Sequence, residues 1–65
     1  MSNVLEAIVD KAWEIRHEWD MVGMYVEPVH DLVVMSCANK VVGGELSVFF
    51  DTYTTQCVRI LVNSN

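Results

Sequence analysis

From Asn3 to Trp19 the apolar side chains recur at helical spacing. Leu5, Ile8, Ala12, Ile15 and Trp19 lie three or four positions apart, with no Gly or Pro between them. Asn3 is a good N-cap, and Glu6 three residues later makes the pattern of a capping box with Asn in place of Ser or Thr. Gly23 offers the exit. The spacing therefore predicts one amphipathic helix running from Asn3 to Trp19.

After Val22 the pattern changes. Val, Thr, Tyr and Phe dominate, residues that suit a pleated, half-buried surface. Strands are expected near Val22–Glu27, Leu32–Cys37, Leu46–Phe50 and Cys57–Val62. Pro28, His30 and Asp31 mark the first turn. Ala38 to Lys40 and Gly43-Gly44 bracket a short strand at Val41-Val42 that the pattern supports only weakly. Asp51 to Thr54 forms the last turn, and Asn63 to Asn65 reads as a frayed tail. An alternative has Asp51 capping a short helix through Tyr53, Cys57 and Leu61. The β-branched density of Thr52, Thr54, Thr55, Val58, Ile60 and Val62 argues against it. The expected fold is α+β: one N-terminal helix on an antiparallel sheet of three to four strands, in α-β-β-β-β order, with residues 1–65 as a single domain.

Alternation along the strands exposes a surplus of apolar surface. Leu46, Val48 and Phe50, with Val58, Ile60 and Val62, fit a face beneath the helix. Yet Phe49 and Leu61 occupy alternate positions, and both alternations of the first two strands are apolar. Two readings stay open. Loops and strand twist bury the surplus, or Tyr25, Val33, Met35 and Phe49 form part of a second interface, for a homodimer or another partner.

Composition narrows the classes. The chain has 65 residues, 52% of them apolar and 20% charged, which excludes a disordered composition. A chain of this size has a thin margin, about 3–5 kcal/mol from one core. No apolar run approaches a membrane span, and the first residues lack the basic start and apolar block of a secretion signal, so the expected location is cytoplasmic. Nine acids against four bases give a net charge of −5. Lys11, Arg16, Lys40 and Arg59 are scattered, which argues against direct binding of nucleic acid or anionic lipid and leaves a basic protein partner open.

The acids are not scattered. Glu6, Asp10, Glu14 and Glu18 recur every four residues, so on a helix they form one row with about 6 Å between neighbours. A helical wheel puts that row opposite Ile8, Ala12 and Ile15, with Trp13 beside it. Such a row is either an ordinary solvated face or a docking face in which Trp13 supplies the apolar anchor. The docking reading predicts a small acidic inhibitor or modulator that binds a basic surface, of the kind found on enzymes that process nucleic acid. The build also resembles, in size and charge alone, phage-encoded proteins that disarm host enzymes. The alternative is a structural or assembly subunit that works through the second interface.

Catalytic chemistry finds no local pattern. His17 and His30 stand alone, and nothing orients them against Cys37 or Cys57. No two of these four residues lie within five positions, so no metal or cofactor is expected. The cysteines are expected to be reduced, and Gly43-Gly44 is too short to cradle a phosphate. The chain is expected not to be an enzyme.

Overall fold

The structure, a computed structural model, describes residues 3–63. Helix α1 spans Val4–Ile15, followed by strands β1 (Trp19–Glu27), β2 (Leu32–Asn39), β3 (Glu45–Asp51) and β4 (Cys57–Asn63). The strands form one antiparallel meander in the order β1-β2-β3-β4. The α+β fold and its element order thus follow the hydrophobic pattern.

Asn3 caps α1 as its side chain predicts: the Glu6 N–H donates to Asn3 Oδ1 at 3.0 Å. The helix ends four residues earlier than its periodicity suggests. Residues 16–18 form a turn, and Trp19 opens β1 opposite Asn39. Strand pairing wins over the local helical pattern here. Gly23 is not the helix exit but lies inside β1, next to a bulge at Val22. Residues 41 and 42 form no strand. β4 is a strand, not a helix, and its last residue is Asn63; Ser64 and Asn65 of the expected tail lie outside the described residues.

The helix-facing core consists of Ile8 with Val33, Met35 and Cys37 of β2 and Leu46, Val48 and Phe50 of β3. Val4, Ala7, Ala12, Ile15 and Trp19 pack around it. Periodicity alone puts Leu5 on this stripe, but it is exposed. With Ile8 pointing straight at the sheet, Leu5 swings to the flank and Val4 and Ala7 take its place.

Geometry limits what this helix can cover. Its cylinder is about 10 Å wide and neighbouring strands are about 4.8 Å apart, so one helix shields roughly two strands. The two it shields are β2 and β3. Both edge strands keep exposed apolar side chains: Met21, Met24 and Val26 on β1, and Val58, Ile60, Leu61 and Val62 on β4.

The surplus apolar surface is therefore at the sheet edges, on the far face as well as beside the helix: Tyr25 and Leu61 are 52% and 42% exposed there. The expected second interface is corrected by the placement of its members. Val33 and Met35 are 8% and 0% exposed and belong to the core beneath the helix. Tyr25 and Phe49 lie on the opposite side, in a cross-strand row with Val34 between them and Arg59 beyond. The four residues cannot form one surface, because the sheet itself separates them.

Candidate functional site

The outward side of α1 carries the candidate site. Glu6, Asp10 and Glu14 are exposed along three turns of helix. Four-residue spacing puts Glu18 next in that row on the helix. It is exposed too, but in the turn after α1, where its N–H donates to the Ile15 carbonyl and its carbonyl accepts from the Lys40 N–H. The row thus consists of three helical acids and one held at the helix exit by the β2–β3 loop.

Neutralisation is incomplete. Lys11 reaches Glu14 at 3.3 Å from the adjacent turn. Lys40 reaches Asp20 at 3.3 Å and also donates to the Arg16 carbonyl. Among the described residues no cation pairs with Glu6, Asp10 or Glu18.

Trp13 is the largest apolar side chain on this side and is 69% exposed. The Arg16 guanidinium lies 4.3 Å from the centre of its ring, and Arg16 also donates to the Trp13 carbonyl. The guanidinium therefore pins the indole on the helix surface by a cation–π contact. Leu5 and Val9 are exposed two turns and one turn before it. The helix thus presents an apolar line, Leu5, Val9 and Trp13, alongside the acids.

Acids and apolar residues together border two shallow depressions. One is lined by Asn3, Leu5, Glu6, Val9 and Asp10. The other is lined by Glu14, Ile15, His17, Glu18 and Trp19. Each joins two carboxylates to two large apolar side chains. The row itself was legible in the sequence. The depressions were not, because they depend on Leu5 turning outward and on the chain bending into β1 after Ile15.

The residues considered for catalysis or metal binding do not converge. Cys37 is buried in the core, where burial pushes its thiol pKa up, while Cys57 is exposed at the far end of the sheet; both are free thiols. His30 sits in the β1–β2 turn, with its ring Nδ1 2.8 Å from the Glu27 carboxylate. His17 lies in the turn after α1. Among the described residues no three His, Cys, Asp or Glu side chains are placed to hold a metal ion, and no helix is long and apolar enough to cross a membrane.

The opposite end of the sheet is built by two turns. Asp51 Oδ1 accepts from the N–H groups of Tyr53 and Thr54 at 2.8 and 2.9 Å, which holds its carboxyl below the usual range. Burial works against the Glu27 carboxylate, but hydrogen bonds from the N–H and ring of His30 and from the Val29 N–H outweigh it, so its pKa is also lowered. Thr52 then ties the two turns together through its N–H and hydroxyl, both donated to the Asp31 carbonyl. These acids are engaged by their own backbones, in contrast to the row on α1.

No protein-family model, curated protein or solved structure matches this chain.

Proposed function

We propose that this chain is a non-enzymatic protein-binding module that docks the outward side of α1 onto a basic protein surface and acts there as an inhibitor or modulator. The observation that carries this reading is the pair of depressions in which carboxylates and apolar walls occur together. Arg and Lys side chains have the matching build, an apolar stem ending in a cation. Glu6 with Asp10, and Glu14 with Glu18, would each receive one such head. Leu5, Val9 and Trp19 would cover the stems, and Trp13 would act as the anchor between the two depressions.

The partner class follows from charge and spacing. A row of carboxylates about 6 Å apart is a linear anion, and surfaces that receive linear anions are those of enzymes that process nucleic acid. A module of this kind would compete with the phosphate backbone for the same groove. It would be expected in the cytoplasm, or in the host cytoplasm if the chain is viral.

The test is capture of partners from cell extract at low and at high salt, with wild type and with Asp10→Lys/Glu14→Lys. Exposed charges are screened over about 8–10 Å near physiological ionic strength, so the wild-type complex should weaken as salt rises. The double variant should bind more weakly by on the order of tenfold while its circular dichroism stays unchanged. Equal binding by the two proteins would remove the acidic row from the contact.

A further inference from the structure

The two edges of the sheet differ in how they are protected. β1 carries a bulge at Val22 and two acids, Asp20 and Glu27, features that discourage strand addition. β4 reads Cys-Val-Arg-Ile-Leu-Val-Asn and has no acid and no proline. Its one irregularity lies at its start, where the register shifts between Phe49 and Phe50 of β3, so Arg59 to Asn63 pair regularly. Its far side is an unpaired row of backbone donors and acceptors. Its aliphatic side chains Val58, Ile60, Leu61 and Val62 are 42–59% exposed, on both faces of the sheet.

We infer that β4 pairs with β4 of a second copy, joining two sheets into one continuous eight-stranded antiparallel sheet. Charge selects this occupant. The chain carries −5 overall, and β4 is a stretch of edge that bears no carboxylate, so two acidic copies meet there with the least repulsion. Symmetry also fits. In an antiparallel pair centred on Ile60, that residue meets its own counterpart and Arg59 lies opposite Leu61 with its stem over the leucine.

The area lies at the threshold for a weak dimer. The four aliphatic side chains of the edge are 42–59% exposed in each copy. With the edge backbone and Arg59, a paired edge would cover roughly 1,000 Å² in total, the lower bound for a specific interface. A two-fold axis normal to the sheet would keep both helices on one side, with Ile60 and Val62 of each copy in the valley between them. Both acidic rows would then point the same way.

This inference is independent of the docking function of α1. Sedimentation across a dilution series from near-millimolar to micromolar should show a dimer of twice 7.4 kDa giving way to the monomer. Ile60→Lys should weaken dimerisation by on the order of tenfold or more, whereas Met24→Lys on the other edge should leave it unchanged. Amide exchange supplies a readout that needs no variant: outward-pointing β4 N–H groups should gain protection as the wild-type concentration rises. A 7.4 kDa species throughout the series would overturn the proposal. So would a dimer that Met24→Lys disrupts and Ile60→Lys does not.

Discussion

Two residues at the turn end of the sheet hold left-handed backbone: Asp31 at φ 53° and Thr55 at φ 63°. Asp tolerates that region, but a β-branched residue there is strained. Thr55→Gly should therefore raise stability by on the order of 1 kcal/mol, after allowing for glycine's greater freedom in the unfolded chain, as read from the thermal midpoint. An unchanged or lower midpoint would mean that Thr55 contributes something its backbone angle does not reveal. The cysteines also separate at this scale. Cys37 is 1% exposed and its thiol pKa is raised by burial, whereas Cys57 is open to solvent. In the native protein one thiol equivalent should react with a disulfide reagent, and the second only on unfolding; fast reaction of both would show that the core beneath α1 opens readily.

At the scale of elements, Asp51 and Glu27 organise the two turns that close the hairpins. Both have folded pKa values below their unfolded ones. Their contribution to stability is thus fully present above the ordinary carboxylate range, about pH 4, and is lost as the pH falls through the depressed folded values. Asp51→Asn keeps an acceptor for Tyr53 and Thr54 but cannot titrate. The stability difference between wild type and this variant should shrink as the pH falls below about 4, and a constant difference would remove Asp51 from the acid response. The elements themselves were largely legible. Asn3 and Glu6 announced the helix start, and Val, Thr and Phe content announced the strands. The helix end was not, because Glu18 and Trp19 continue both of its periodicities and only the pairing of Trp19 with Asn39 breaks them. The strand alternations of β1 and β2 were apolar on both sides, so nothing local could say that Val33 and Met35 face the helix while Tyr25 faces away.

For the whole molecule the governing fact is that one helix shields two strands of four. That single ratio leaves β1 and β4 exposed, turns the excess apolar residues into edges, and leaves the acids, Leu5, Val9 and Trp13 on the outward side of α1. Of the five other acids, Glu27 and Asp51 are taken up by turns and Asp20 by Lys40, while Asp31 and Glu45 are exposed away from the helix. Net charge alone would draw a cationic ligand to any of them, whereas docking through paired carboxylates and apolar walls confines it to the helix. The direct measurement is a titration of the isotope-labelled protein with a short arginine-rich peptide, followed residue by residue in heteronuclear NMR spectra at low salt. Shift changes should concentrate between Leu5 and Trp19, include the Trp13 indole, and vanish in Asp10→Lys/Glu14→Lys. Changes spread evenly over Asp31, Glu45 and Asp51 as well, and persisting in that variant, would contradict docking through α1.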